Sequence, residues 1–158
     1  MKNIMVISDT HGEIDEVLEQ YNRLNNIDMI IHLGDYASDA KRIERETGTT
    51  VVAVKGNMDG EKSEAPNRVI EIEDYKILLT HGHLEKVMAG LTTLYYKALS
   101  FSCDVAMFGH THIPVKIQEG SILFINPGSI TFPRGGGKSS FALVTLQAEG
   151  IKAEIVYL

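Results

Sequence analysis

Five short polar clusters hold the side chains of this 158-residue sequence that are best suited to catalysis or metal binding. They carry carboxylate, imidazole and amide groups, which are ligand types that suit first-row divalent metals. None contains a cysteine, which counts against a structural zinc site of the Cys-rich kind. The clusters are Asp9-Thr10-His11, Gly34-Asp35, Gly56-Asn57-Met58-Asp59, His81-Gly82-His83 and Gly109-His110-Thr111-His112. Their residue types therefore indicate a divalent metal site.

Each cluster taken alone also has an ordinary structural explanation. Asp9 fits a helix N-cap followed by an exposed histidine, and Gly34-Asp35 and Gly56-Asn57 fit turns. The two histidine pairs are harder to explain in this way, because two imidazoles on one loop after an apolar strand have no packing role. Five such clusters in series are much harder to explain as turns than any one of them, so the sequence favours a shared metal site.

Each cluster follows a predicted strand. Apolar or β-branched runs predict strands at Ile4–Ile7, Asp28–Leu33 and Thr49–Val54, with helices predicted over 13–24 and through 41–46. This alternation predicts a parallel sheet with right-handed crossovers. Sites in open α/β sheets form beyond the carboxyl ends of the strands, so we expect the cluster-bearing loops to converge on one crevice.

The second half of the sequence changes character. An antiparallel hairpin is predicted over 69–80, a helix near 85–100 and a strand at 105–108. Turn signals at 119–120 and 149–150 separate further short strands. A parallel half and a more antiparallel half together predict an α/β protein with two packed sheets and helices outside.

Composition and charge limit the classes of function. The length fits one domain spanning residues 1–158. A formal charge of −6 argues against a protein that holds nucleic acid through its phosphates, so stable nucleic-acid binding is not expected. Cys103 is the single cysteine, which excludes an internal disulfide and fits a reducing compartment. No apolar run approaches a membrane span or a signal peptide, so we expect a cytoplasmic protein without a membrane partner.

The ordered motifs resemble those of the calcineurin-like metallophosphoesterases. The likeness is closer to their small single-domain bacterial and archaeal phosphodiesterases, which also share Asn126-Pro127-Gly128-Ser129, and it runs from Ile4 to about Arg134. The resemblance implies a four-layer α/β/β/α sandwich of two mixed sheets with flanking helices. It also implies two metal ions. The carried-over ligands are Asp9, His11 and His112 for the first ion, Asn57, His81 and His110 for the second, and Asp35 as the bridge between them.

The resemblance implies hydrolysis of small phosphodiesters. Two divalent ions about 3.5–4 Å apart can share a water and lower its pKa, so that a bridging hydroxide attacks phosphorus in line while both ions stabilise charge on the non-bridging oxygens. The family likeness favours manganese, and oxygen and imidazole ligands also admit Fe, Zn, Ni or Co.

One position departs from the wider family pattern. Met58 stands where the family usually has a histidine that helps to bind phosphate and protonate the leaving group. Asp59 and His83 are the remaining candidates for that catalytic role. Asp59 is alternatively explained as a residue that orients a ligand histidine, and His83 as a loop residue bonded to backbone. We expect faster turnover of esters with acidic leaving groups, such as nitrophenyl phosphodiesters, than of alkyl phosphates.

Two further polar residues, Arg134 and His32, have both a functional and a structural explanation. Arg134 is a candidate substrate-binding residue through bidentate contacts to phosphate, or else a solvated loop arginine, and His32 is expected to be a hydrogen-bonded core histidine. The alternative function is a non-catalytic or weakly catalytic metal-binding scaffold for protein assembly, as in a retromer subunit of similar fold. A nuclease acting on longer nucleic acid fits the acidic balance less well. The sequence leaves the oligomeric state open.

Overall fold

A computed structural model describes residues 1–158 as ten strands, three α-helices and one short 3₁₀ turn. The helices are α1 (Asp15–Arg23), α2 (Ser38–Thr47) and α3 (Thr92–Ser100). The strands are β1 (Lys2–Ile7), β2 (Met29–His32), β3 (Val51–Ala53), β4 (Asn67–Ile72), β5 (Tyr75–Thr80), β6 (Val105–Met107), β7 (Val115–Glu119), β8 (Ile122–Asn126), β9 (Ser140–Gln147) and β10 (Gly150–Tyr157). None of the helices combines the length and apolar character needed to cross a membrane.

The first sheet has the strand order β10-β9-β1-β2-β3. β1 pairs with β2 and β2 with β3 in parallel, as the alternating strand and helix patterns predict. The C-terminal hairpin joins this sheet because β9 pairs antiparallel with β1 and β10 with β9. The sheet is therefore mixed, and the two ends of the chain share it.

The second sheet has the order β4-β5-β6-β8-β7. Its three central strands are parallel, and the antiparallel strands β4 and β7 form its edges. The second half is more antiparallel than the first, as predicted. Its central strands are nevertheless parallel, since α3 provides a crossover that returns β6 parallel to β5. Both sheets are mixed, which confirms the predicted fold class.

Side-chain burial shows how the layers pack. Ile4 and Val6 face the space between the sheets, where they pack in one cluster with residues of the second sheet such as Ile77 and Met107. The alternate residues of β1 point to the other face, and Met5 packs there with Val17 of α1 and Ile43 of α2. This alternation is the period of a strand buried on both faces. One face of the first sheet therefore packs against the second sheet, and the other face packs against the layer formed by α1 and α2.

The second helix layer covers the outer face of the second sheet. Leu94 and Ala98 of α3 pack on Ala106 and Phe124, and Cys103 is buried in the same cluster. The predicted helix near 85–100 is split, because Gly90 has a φ of 135° and separates a 3₁₀ turn at Val87–Ala89 from α3. The four-layer arrangement expected from the resemblance is confirmed.

Candidate metal centre

The seven side chains predicted as ligands all lie on loops that leave the carboxyl ends of strands. β1, β2 and β3 of the first sheet end at three of these loops, and β5 and β6 of the second sheet end at the other two. Because the two sheets pack face to face, the loops meet at one edge of the sandwich. The side chains are Asp9 and His11 after β1, Asp35 after β2, Asn57 after β3, His81 after β5, and His110 and His112 after β6.

The first group of donor atoms comes from Asp9, His11, Asp35 and His112. Each offers one ligand atom, and these atoms all lie within 4.8 Å of one another. His11 Nε2 lies 3.8 Å from Asp35 Oδ2, and His112 Nε2 lies 3.2 Å from Asp9 Oδ1. We call these four side chains the first donor group; their atoms are close enough to share one cation.

The second group of donor atoms surrounds His81. Its Nε2 lies 3.1 Å from Asn57 Oδ1, 3.2 Å from His110 Nδ1 and 3.5 Å from Asp35 Oδ1. We call Asn57, His81 and His110 the second donor group. Asp35 stands between the two groups, with Oδ2 towards His11 and Oδ1 towards His81. The structure thus brings all seven predicted side chains together.

Two buried atoms of the first donor group have no hydrogen-bond partner, namely Asp9 Oδ1 and His11 Nε2. Asp9 Oδ1 lies 3.2 Å from His112 Nε2, but the two are not aligned for a hydrogen bond. An unpaired polar atom in a buried site is costly, and native structures leave few of them. A cation among these atoms would satisfy both, so the residues present fit a metal.

Backbone carbonyls orient two of the imidazoles. His81 Nδ1 donates to Leu33 O at 2.8 Å, and His112 Nδ1 donates to Phe132 O at 2.6 Å. A carbonyl can only accept, so the proton is on Nδ1 and the lone pair of Nε2 faces the centre. This is the arrangement that supporting hydrogen bonds give to metal-ligating histidines.

Burial and mutual charge shift the pKa values of several groups. Burial raises the pKa of Asp9, but the interactions with His112, His81 and Ser8 outweigh it, so this pKa lies below its usual value. The adjacent Asp9 carboxylate raises the pKa of His112. For His110, burial and the charge of His81 lower the pKa, which favours its neutral, ligating form. The carboxylate of Asp9 and the neutral ring of His110 are thus the forms that these surroundings favour.

The domain model of the calcineurin-like phosphoesterase superfamily matches residues 1–149. This chain is a calcineurin-like phosphoesterase. The match covers nearly the whole chain and confirms the family indicated by the motifs. The family uses divalent metals, in agreement with the carboxylate and imidazole cluster.

Curated relatives of this phosphoesterase carry matching names. The probable metallophosphoesterase YsnB of Bacillus subtilis is 35% identical over 147 residues, which cover 92% of this chain and 85% of that protein. The phosphodiesterase YfcE of Escherichia coli K12 is 33% identical over 169 residues, which cover 91% of this chain and 88% of that protein.

Solved structures share the fold over almost the full length. A predicted phosphoesterase from Streptococcus pneumoniae TIGR4 has a TM-score of 0.85 and 33% identity, covering 99% of this chain and 89% of the other. A mutant of Vps29 from Entamoeba histolytica has a TM-score of 0.79 and 26% identity, covering 99% of each chain. The structural neighbours therefore include proteins named as phosphoesterases and proteins named Vps29.

The donor-bearing loops of this phosphoesterase hold an unusual backbone conformation. All four residues of the first donor group have positive φ, with 57° at Asp9, 51° at His11, 56° at Asp35 and 57° at His112. Left-handed backbone costs roughly 1–2 kcal/mol for a residue that has a Cβ. Such strain persists where the surrounding structure enforces it, as at functional sites. The loops therefore place these side chains at a cost in stability.

Two glycines allow the loops to approach one another. A Cβ on Gly56 would lie 2.1 Å from Asp35 Oδ1, and a Cβ on Gly109 would lie 2.1 Å from Ser8 Oγ. No side chain fits at either position. From the sequence, Gly56-Asn57 fits either a turn or part of a functional site. The structure shows that glycine is required at position 56 because a Cβ there would collide with Asp35.

The two candidates for leaving-group assistance have different surroundings. Both carboxylate oxygens of Asp59 accept backbone hydrogen bonds, Oδ1 from Ala37 N at 2.7 Å and Oδ2 from Gly56 N at 2.8 Å. The ring centroid of His83 lies 5.4 Å from that of His81, and its buried Nδ1 has no partner. Burial lowers the pKa of His83, as does the charge of His81. Asp59 thus ties two donor-bearing loops together, whereas His83 has a free ring nitrogen.

A buried polar chain supports the first donor group. Gly34 N–H donates to His32 Nδ1 at 3.2 Å, so the proton of this ring is on Nε2, which lies 2.9 Å from Thr10 Oγ1. Thr10 Oγ1 donates in turn to Asp39 Oδ2 at 2.7 Å. The prediction that His32 is a hydrogen-bonded core histidine is confirmed. These hydrogen bonds link Thr10, which lies between Asp9 and His11, to Gly34, which precedes Asp35.

The segment after β8 braces the same loops. Asn126 Nδ2 donates to Gly109 O and to Thr111 Oγ1, both at 3.0 Å, and Ser129 Oγ donates to Asp9 O at 3.0 Å. Arg134 is exposed and lines a cleft beside the first donor group. Its role in binding substrate stays a prediction.

Sequence analysis missed two aromatic residues of this cleft, Tyr36 and Phe132. Tyr36 follows Asp35 directly, and its place next to a predicted ligand was the available signal. Phe132 lies 20 residues from His112 along the chain, and only the fold brings its carbonyl to that ring.

Proposed function

We propose that this chain is a metal-dependent phosphodiesterase that hydrolyses small phosphodiesters at a dinuclear centre. The observation that carries the proposal is the position of Asp35, which lies 3.8 Å from His11 Nε2 through one oxygen and 3.5 Å from His81 Nε2 through the other. A carboxylate shared in this way would offset the repulsion between two cations. The name of the phosphodiesterase YfcE supports the substrate class.

The two donor groups divide the proposed ligands. The first ion would be held by Asp9, His11 and His112, the second by Asn57, His81 and His110, and both by Asp35. Two divalent ions would supply Lewis-acid chemistry, lowering the pKa of a water and neutralising phosphate charge. We propose manganese as the metal, within a donor set that also suits Fe, Zn, Ni or Co.

The charge of the protein donors leaves the centre able to attract a phosphodiester. Among the seven donor residues only Asp9 and Asp35 carry negative charge, while Asn57 contributes a neutral amide oxygen. Two carboxylates do not cancel two divalent charges, so a net positive charge would remain for the phosphodiester anion. Arg134, at the edge of the adjacent cleft, would add a planar guanidinium suited to two phosphate oxygens.

Proton supply to the leaving group is expected to be weak. Met58 is 60% exposed and has no proton to transfer, and both oxygens of Asp59 already accept backbone hydrogen bonds. His83 has a lowered pKa, so its neutral ring can donate a hydrogen bond but carries no additional proton near neutrality. Rates should therefore depend steeply on leaving-group acidity, with nitrophenyl phosphodiesters turned over faster than alkyl ones. Equal kcat/KM for the two classes would contradict this expectation.

A metal-binding scaffold for protein assembly is the second candidate. The Vps29 neighbour favours it, since 99% of each chain superposes with a TM-score of 0.79. The complete set of seven donors favours catalysis, whereas the two unpaired buried atoms fit metal binding in either function. Measured hydrolysis separates the two functions.

The proposal is tested with metal-stripped protein reloaded with Mn, Fe, Zn, Ni or Co. Hydrolysis of bis(4-nitrophenyl) phosphate and bound metal per chain are measured together. We expect two ions per chain in the natural protein, at most one in Asp35→Asn, and a loss of activity in that variant of about 10²–10³-fold. Asp74→Asn, an exposed carboxylate in the turn between β4 and β5, is the matched control. Full activity in Asp35→Asn, or none with any metal, would overturn the proposal.

A further inference from the structure

Two large aromatic side chains are exposed at the edge of the first donor group. Tyr36 is 39% exposed and Phe132 is 50% exposed. Their ring centroids lie 5.3 Å and 5.5 Å from that of His11. Exposed aromatic rings gathered beside a polar centre gain little from the fold itself, and such groupings mark binding sites.

Local contacts constrain the backbone that carries both rings. Tyr36 has a φ of 64°, a left-handed conformation that is an outlier for a bulky residue, and its ring lies 3.8 Å from the position of a Cβ on Gly12. Phe132 N–H donates to Ser129 Oγ at 2.8 Å, and the Phe132 carbonyl accepts from His112 at 2.6 Å. The backbone conformation that exposes Phe132 also orients a donor imidazole. Because the backbone is already ordered, a ligand that packs on these rings restricts only their side-chain rotations.

The rings line a cleft of about 490 Å³, a volume typical of small-molecule sites. Its other walls are His11, His112, Pro133 and Arg134. The cleft therefore reaches from two residues of the first donor group, past two aromatic faces, to a guanidinium. A group attached to a phosphorus atom at the centre would extend along it.

Resting on the proposed function, we propose that this cleft selects phosphodiesters that carry a flat aromatic substituent, which packs against Tyr36 and Phe132. Aromatic pairs prefer offset or edge-to-face contacts that an aliphatic ring cannot make. Phe132 and Tyr36 are thus assigned as specificity-determining residues, separate from the leaving-group effect of Met58.

Non-hydrolysable phosphonates test the inference by binding rather than turnover. Calorimetry on manganese-loaded protein compares phenylphosphonate with cyclohexylphosphonate, which has a ring of similar size without a π face. We expect phenylphosphonate to bind about fivefold more tightly. Phe132→Leu, which keeps apolar bulk, should bring the ratio close to one. Tyr96→Leu, at a 63% exposed aromatic of α3 outside the cleft, should leave the ratio unchanged.

A second pair of probes distinguishes an aryl group from a nucleobase. Adenosine 5′-monophosphate carries adenine at the anomeric carbon of the sugar, where ribose 5-phosphate carries a hydroxyl. The inference is supported if the natural protein binds the aromatic compound of either pair more tightly and Phe132→Leu abolishes that preference. The pair that shows the preference tells whether the cleft takes an aryl group or a nucleobase. Equal affinities within both pairs would overturn the inference but not the proposed function. Absence of all binding, together with absence of hydrolysis, overturns the proposed function and the inference with it.

Discussion

The two donor groups of the centre share Asp35 but differ in burial and charge. In the first group His11 is half-buried and the other three side chains are buried. In the second group only His81 is buried, whereas His110 is half-buried and Asn57 is exposed. The first group holds a carboxylate of its own, and the second has only a neutral amide and imidazoles beside the shared carboxylate.

They also differ in backbone conformation. Every residue of the first group has a left-handed backbone, whereas in the second group only His110 does, with a φ of 69°. A buried carboxylate with an unpaired oxygen gains most from a cation, because no water is there to solvate it. We therefore expect the first group to hold its ion more tightly, and the open second group to face the phosphodiester.

The largest expected effect comes from removing the charge that only the first group has. Asp9→Asn should lower kcat/KM for bis(4-nitrophenyl) phosphate by about 10³-fold, and Asn57→Ala by about 10²-fold. The former variant removes a buried anionic ligand, and the latter an exposed neutral one. Metal content after gel filtration should fall further in Asp9→Asn.

These two variants serve as controls for each other, since both alter one proposed ligand oxygen. If Asn57→Ala lost the greater share of bound metal, the order of affinities inferred for the two groups would be reversed. If both variants kept two ions per chain, neither residue would be a ligand.

The sequence predicted the site by residue type, but not the backbone that presents it. All seven donors lie together because each follows a strand, and this could be inferred from apolar runs and sheet topology. The left-handed φ of Asp9 could not be inferred, since nothing in its residue type requires it. The pairing of β9 with β1 was also beyond reach, because contacts between the two ends of a chain leave no local pattern.

A smaller effect should distinguish a donor with a left-handed backbone from one without it. At His112, with a φ of 57°, glycine should make the metal-free protein more stable than alanine by about 1 kcal/mol, because glycine has no Cβ to strain. At Asn57, outside the left-handed region, glycine should be less stable than alanine by about 0.5 kcal/mol, because it has more freedom to lose on folding. Urea unfolding of the four variants measures both differences. The same sign at both positions would show that the first group carries no special strain.

The smallest effect concerns His32, which supports the first group through Thr10. Burial lowers the pKa of this imidazole, and the opposing charges of Asp39 and Asp9 do not restore it. His32 is therefore neutral when folded, whereas in the unfolded chain it takes up a proton near pH 6.5. The unfolded state binds more protons as pH falls, so stability present above that pH is lost below it.

Between pH 7 and pH 6 this single group should remove about 0.7 kcal/mol from the unfolding free energy of the metal-free protein. In His32→Asn the loss of unfolding free energy between pH 7 and pH 6 should be smaller than in the natural protein by that amount. This difference does not depend on the absolute stability of the variant. The comparison uses the pH slope because the substitution also breaks the bond to Thr10. Identical slopes would mean that His32 is charged in the fold. A charged ring would carry a proton on Nδ1 as well as on Nε2. That proton would face the Gly34 N–H, which already donates to Nδ1.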